Sequence, residues 1–205
     1  MILEHIISTI APFSCLGCHR EDTILCNECQ AALPVVDSQC TQPGLAYMAA
    51  TTYTNVAKDV VHALKFERAQ AAADCIAKVM TSRIALPNNM QLVVTHVPTA
   101  NVRVRQRGYD QAQQIARKFA QHTKLPYVPL LARQNDARQV GSSKQARASQ
   151  AASMFRVKQR SHLPNTAILL IDDVITTGAT MQAAAHVLTE AGATHVYPIA
   201  FACVE

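Results

Sequence analysis

The apolar positions of this chain change period along its length, and each period predicts an element. Ile2, Leu3, Ile6, Ile7 and Ile10 recur at helical spacing, which predicts a short amphipathic helix at the start. Q-A-A-L-P reads as a short helix ending before Pro34, and Asp37, Ser38, Pro43 and Gly44 give 35–46 the composition of a linker. A-Y-M-A-A-T-T-Y reads as a strand; Val56, Val60, Ala63 and Leu64 then predict a helix over 55–66, with another over 69–83. Leu92, Val93 and Val94 form a short strand running into His96, Val97 and Pro98. Residues 98–108, rich in arginine and closed by Gly108, read as a loop. Ala112, Ile115, Ala116 and Phe119 mark one face of a helix over 109–122, and a strand is expected around 127–131. The polar stretch 132–165 carries little pattern. A-I-L-L-I reads as a doubly buried strand, D-D-V-I-T-T-G-A-T as a loop, and M-Q-A-A-A-H-V-L-T-E-A as a helix stopped by Gly192. The last strand covers 195–204, where Pro198 argues for an edge or a bulge. Strands alternating with helices predict an α/β fold with a mostly parallel sheet covered on both faces.

The densest chemistry lies where the A-I-L-L-I strand ends. Open parallel sheets bind ligands at the carboxyl ends of their strands. Asp172 and Asp173 stand there, and ionised carboxylates accept hydrogen bonds from hydroxyls or hold a metal. Thr176, Thr177, Gly178, Ala179 and Thr180 follow and run into a helix. Small residues let main-chain N–H groups approach an anion, hydroxyls add donors, and the helix start adds partial positive charge. A phosphate with a diol beside it fits this pattern, as in a ribose 5-phosphate. Neither G-x-x-x-x-G-K-[ST] nor G-x-G-x-x-G occurs, which argues against a P-loop nucleotidase and a dinucleotide fold.

Charge adds a second feature. The 205 residues, enough for one domain or one domain plus a small module, carry a net +5. Residues 100–160 hold 13 of the 19 Lys and Arg against only Asp110 and Asp136, a local +11. Such segregation points to a polyanion, either the phosphates of a small ligand or a nucleic-acid backbone.

Cysteines add a third. Cys15 and Cys18 form one C-x-x-C pair, Cys26 and Cys29 another, and four thiolates suit tetrahedral zinc. Disulfides or free thiols are the alternative. Cys75 and Cys203 sit in apolar contexts and read as core residues. The first ten residues lack the basic start of an export signal, and no stretch approaches a membrane span. A cytoplasmic protein is the expectation.

The motif L-L-I-D-D-V-I-T-T-G-A-T resembles the phosphoribosyl-diphosphate (PRPP) motif of type I phosphoribosyltransferases. The remaining segments resemble one branch, the ComF family of competence-associated phosphoribosyltransferase-like proteins. The cysteine pairs, Y-T-N-V-A-K-D-V-V-H-A-L-K-F, V-P-T-A-N-V-R-V-R-Q-R-G-Y-D-Q-A and a Gln…Arg stretch before Phe155 follow in that family's order. The resemblance implies a zinc module over 1–44 and a phosphoribosyltransferase-like domain over 45–205. It implies that Asp172 and Asp173 hold ribose hydroxyls and that residues 176–180 hold the 5-phosphate. Arg103, Arg105 and Arg107 would face the diphosphate or a second anion, and Lys65 matches the Lys of the L-K-F segment. Mg²⁺ would accompany PRPP, and structural Zn²⁺ would sit on Cys15, Cys18, Cys26 and Cys29. The family's partners would be single-stranded DNA and the DNA-uptake machinery. Two readings stay open: transfer of the phosphoribosyl group to a base or amine, or a non-catalytic PRPP sensor that binds single-stranded DNA. Ser142 and Gln150 replace the family's usual Leu and Asn, and Cys40 lacks a C-x-x-C partner.

Overall fold

A computed structural model of the chain describes residues 14–36, 40–42, 44–65, 69–88, 90–134, 154–158 and 166–204. The expected N-terminal helix, Ser142, Gln150 and the basic residues Arg138, Lys144, Arg147 and Arg160 lie outside the described residues. In chain order the elements are α1 (Asn27–Ala31), β1 (Cys40–Gln42), β2 (Leu45–Thr52), α2 (Asn55–Lys65), α3 (Ala69–Arg83), β3 (Leu92–His96), α4 (Asn101–Arg107), α5 (Gln111–Thr123), β4 (Leu131–Arg133), β5 (Phe155–Val157), β6 (Ala167–Ile175), α6 (Ala179–Glu190) and β7 (His195–Cys203).

The main sheet runs β1-β2-β7-β6-β3. All its pairs are parallel except the β1–β2 hairpin, so the expected mostly parallel sheet is the one observed. Alternation along β6 explains its continuous apolar run. Leu169 and Ile171 face a core built with α2, α3 and α5. Ile168 and Leu170 face a second core built with α6 and the β4–β5 ribbon. Cys75 and Cys203 are buried, as expected.

The cysteine segment packs on the first of these cores, where Cys15, Ile24, Leu25, Cys26 and Leu33 join Val60, Leu64 and Ile76. Arg83, at the end of α3, ties the two parts together. Its guanidinium donates to the carbonyls of Gln30 at 2.6 Å, Leu33 at 3.1 Å, Pro34 at 3.0 Å and Ala50 at 3.1 Å. One of these, Gln30, lies in the last turn of α1, where carbonyls lack intrahelical partners.

Four expectations change. Residues 101–107 form α4 rather than a loop, since Arg and Gln are good helix formers. Gly108 closes it with φ +81, the left-handed cap that glycine adopts without strain, and its N–H reaches Val104. The strand expected at 127–131 is instead an isolated bridge from Tyr127 to Val94, followed by β4. Pro126 and Pro129 bracket that stretch and cannot donate to a ladder. β6 runs on to Ile175, because β7 stays beside it to the pair Ile175↔Cys203. The carboxylates therefore stand on a strand rather than in a loop. Finally, β7 is central, not an edge. It pairs with β6 from His195 but with β2 only from Ile199, so Pro198 sits where one side has no ladder to lose.

Candidate functional site

β3 pairs with β6 as far as His96↔Ile171. Val97 makes one more bond, N–H to the Ile171 carbonyl at 2.9 Å, and the chain then turns away at Pro98. β6 continues for four residues without a neighbour on that side, which opens a cleft of about 650 Å³ at its carboxyl end. The cleft gathers Lys65, Arg103, Arg107, Asp172, Asp173 and all of 176–180.

Arg105 is not among its walls and is exposed. Helical periodicity explains the separation: Arg103 and Arg107 are four residues apart on one face of α4, whereas Arg105 falls about 200° round the axis from either. Lys65 reaches the cleft from the end of α2, which Tyr109 anchors by donating to the Leu64 carbonyl at 2.7 Å. Three wall residues are not among those that the sequence pattern marks for the site: Tyr53, Gln111 and Arg133.

The loop after β6 turns into α6 at Gly178, whose φ of +68 is costly for other residues. The first N–H groups of α6 thus open onto the cleft beside the hydroxyls of Thr176, Thr177 and Thr180. Asp172 and Asp173 each turn one oxygen back on the main chain. Asp172 Oδ1 accepts from the Asp173 N–H at 2.9 Å, and Asp173 Oδ1 accepts from the Val174 N–H at 2.8 Å. Burial first, and the neighbouring Asp173 carboxylate second, push Asp172 well above the usual carboxylate range.

The opposite wall is held by a buried network. Asp110 caps α5 by accepting from the Gln113 N–H at 3.1 Å. The same carboxylate accepts from Thr99 twice, from its N–H at 2.8 Å and its hydroxyl at 3.0 Å. His96 Nε2 lies 3.8 Å from Asp110, and its Nδ1 is hydrogen bonded to the Tyr127 hydroxyl at 2.9 Å. Burial pushes His96 down to about 4; Lys158 and Arg117 act in the same sense and Asp110 opposes them. His96 is therefore a neutral, buried group hydrogen bonded to Tyr127 and set beside the Asp110 carboxylate that braces the 98–100 turn, and it is not a wall of the cleft. An Asp before an amphipathic helix is a start signal that could have flagged Asp110.

The second cluster comprises Cys15, Cys18, Cys26 and Cys29, whose sulfurs all lie within 4.8 Å of one another. Cys18 and Cys26 sulfurs are 3.6 Å apart. Four sulfurs at about 2.3 Å on a tetrahedron stand about 3.8 Å apart, so this cluster can hold a metal ion. Gly17 makes the cradle possible, since a Cβ there would lie 2.6 Å from the Cys29 sulfur. The Cys26 N–H points at the Cys15 sulfur at 3.3 Å. Burial works against the Cys15 thiolate, but main-chain N–H groups of Cys26, Cys18 and Gly17 outweigh it and bring Cys15 down to about 6. Cys29 is pushed up to about 12, first by the Cys26 thiol and then by burial and the other two sulfurs. Four crowded sulfurs cannot all carry charge without a cation between them.

A parallel α/β sheet with paired carboxylates and a hydroxyl-rich turn at one strand end is the type I phosphoribosyltransferase arrangement, and comparison with known proteins agrees. The family model described as "Phosphoribosyl transferase domain" matches residues 98–204. Competence protein ComFC of Streptococcus pneumoniae (strain ATCC BAA-255 / R6) is 24% identical over 212 residues, spanning 93% of each chain. The chain therefore belongs to the phosphoribosyl transferase domain family, as a ComF-type, type I phosphoribosyltransferase-like protein. Among solved structures, an allosteric regulatory enzyme of purine biosynthesis matches at TM-score 0.46 and 22% identity, over 63% of this chain and 25% of its own. Glutamine PRPP amidotransferase from B. subtilis matches at 0.46 and 20%, over 63% of this chain and 26% of its own. This chain thus spans about a quarter of either enzyme. Adenine phosphoribosyltransferase from Leishmania tarentolae matches at 0.40 and 14%, over 64% of this chain and 70% of its own.

Proposed function

We propose that the cleft binds PRPP together with Mg²⁺. The observation that carries this reading is the sharing of one cleft by an acidic pair, a hydroxyl-lined helix start and four cations, Lys65, Arg103, Arg107 and Arg133. PRPP presents the matching sequence of groups: a diphosphate, a ribose diol and a 5-phosphate. Residues 176–180 would donate to the 5-phosphate, Asp172 and Asp173 would accept from the ribose hydroxyls, and Arg103, Arg107 and Lys65 would face the diphosphate. Bidentate guanidinium contacts suit that group. Mg²⁺ would meet the oxygens of Asp172 and Asp173 and supply charge neutralisation of the diphosphate as it leaves. The chain's own part is to hold the ribose between two fixed anion sites.

Transfer to an acceptor and PRPP sensing share this site and differ in turnover. Release of diphosphate from PRPP in the presence of Mg²⁺ and candidate bases or amines separates them. Binding itself is tested by Asp173→Asn, which removes a charged acceptor. Calorimetry should show PRPP affinity about tenfold to a hundredfold weaker, the equivalent of one charge-assisted hydrogen bond of about 1.5–3 kcal/mol. Unchanged affinity would sink the assignment.

The four cysteines hold a structural Zn²⁺ in this reading, within a module over 1–44 that precedes a phosphoribosyltransferase-like domain over 45–205. Thiolate ligation is consistent with a reducing, cytoplasmic setting. Among the described residues no helix is long and apolar enough to cross a membrane.

A role in competence is supported by the name of the pneumococcal relative, and charge outside the cleft supports DNA as the partner. Arg105, Arg117, Lys124, Arg156 and Lys158 are exposed, and Arg117 stacks over the Tyr127 ring at 5.4 Å. Single-stranded DNA held by such residues would release counterions, with a log–log salt slope of about −0.7 per phosphate neutralised. Charge reversal at Arg117, Lys118 and Lys124 is expected to flatten that slope. An oligonucleotide that fails to bind at low salt, or ignores those changes, assigns the basic block to the cleft alone.

A further inference from the structure

Gln111 opens α5 on the wall of the cleft and is only 4% exposed. Its Oε1 accepts from Arg107 Nη1, which fixes the amide orientation, because a guanidinium can only donate. Its Nε2 is buried and has no hydrogen-bond partner among the described residues. Arg133 on β4 shares this state. Its guanidinium lies over the Phe155 ring at 5.5 Å, its Nη1 reaches the Pro98 carbonyl at 3.5 Å, and its Nε is buried without a partner among the described residues. Folded proteins leave few buried donors unpaired, and here two line one cleft. Both are tied to the same turn: Arg133 through Pro98, and Gln111 through its neighbour Asp110, which holds Thr99.

The chemistry of this end is one-sided. The acceptor oxygen of Gln111 is taken by Arg107, and neither arginine has an acceptor to offer. Only a ligand group made of acceptors can satisfy it. We infer that Gln111 and Arg133, with Arg107, are the donors that grip the diphosphate of the ligand, and that Gln111 acts twice, aiming Arg107 and donating through its own Nε2. This inference rests on the PRPP reading of the cleft, but its test separates the two.

The full chain is titrated calorimetrically, in Mg²⁺, with two probes: inorganic diphosphate and ribose 5-phosphate. Gln111→Met should weaken diphosphate binding about tenfold to a hundredfold while leaving ribose 5-phosphate within about twofold. Gln111→Glu keeps an acceptor for Arg107 but replaces the free donor with an anionic oxygen. It should bind diphosphate no better than Gln111→Met. Recovery of native diphosphate affinity in Gln111→Glu would show that Gln111 only props Arg107, and it would overturn the inference. So would an unchanged diphosphate affinity in Gln111→Met. If thermal melts show that Gln111→Met fails to fold, Arg133→Met carries the same test, with the same selective loss expected and unchanged diphosphate affinity counting against the proposal. A native chain that takes diphosphate but not ribose 5-phosphate, with the loss of diphosphate affinity in Gln111→Met intact, refutes the assignment of residues 172–180 and leaves the donor end standing.

Discussion

Removing the Zn²⁺ proposed for Cys15, Cys18, Cys26 and Cys29 is expected to lower the melting temperature of the whole chain by on the order of 10 °C. The size follows from where the cluster sits. Cys15 is fully buried, and Cys15 and Cys26 belong to the same apolar core as α2, α3 and the sheet. Zinc binding contributes roughly 10–16 kcal/mol in isolated finger peptides that have no other core. Here Ile24, Leu25 and Leu33 hold part of the segment without it. If about a third of that energy reaches the whole fold, roughly 3–5 kcal/mol is lost, and a chain of this length shifts by about 2–4 °C for each kcal/mol. Protein purified without added metal should carry about one zinc per chain by elemental analysis. Gly17→Ala is the sharper variant. It keeps all four thiols but puts a methyl group where only 2.6 Å separates it from the Cys29 sulfur, so zinc content should fall. Four free thiols in metal-free native protein that melts normally would rule out the structural ion.

The parts of the site that could be read from the sequence are those whose chemistry is contiguous. Residues 167–180 hold a buried strand, two carboxylates, a hydroxyl-rich turn and a helix start in fourteen consecutive positions, and local order alone puts these groups together. The two C-x-x-C pairs are similar, because each knuckle places its sulfurs by turn geometry. Tyr53, Gln111 and Arg133 carry no such mark. They come from the end of β2, the start of α5 and the short strand β4, and only the sheet order brings them to one cleft.

The corrections have physical reasons of the same kind. Arg103, Arg105 and Arg107 look like one basic group when 98–108 is read as a loop, but a helix divides them by face. Pro198 argued for an edge because proline cannot donate to a ladder, yet a central strand can carry it where its second neighbour has not begun to pair. Strand partners that enter at different heights are invisible to a one-dimensional pattern. The Asp110 network was hidden for a related reason. His96 and Tyr127 are far apart in sequence, and a lone histidine gives no sign of what it meets.

Lowering the pH from about 6.5 to 4 is expected to remove about 3 kcal/mol of stability through His96 alone. In the unfolded chain this imidazole titrates near its ordinary 6.5, whereas in the folded chain burial holds it down to about 4. Between those values the unfolded state binds the extra proton, so stability is complete above 6.5 and declines as pH falls towards 4. Urea unfolding across this window should show the slope, and His96→Asn should flatten it by about one proton's worth. A folded-state imidazole signal that titrates near 6.5 would contradict the prediction. The groups facing His96 decide what happens when it does take a proton. Arg117 and Lys158 repel the imidazolium, and Tyr127 occupies Nδ1. The Asp110 carboxylate, 3.8 Å from Nε2, is then drawn towards the new charge. Its oxygens hold the Thr99 N–H and hydroxyl, so protonation of His96 pulls on the bonds that brace the 98–100 turn. Ligand affinity at the Thr99 side of the cleft should therefore hold through the upper part of that window and weaken only as pH falls to about 4, where the folded imidazole takes its proton, and His96→Asn should remove that part of its pH dependence.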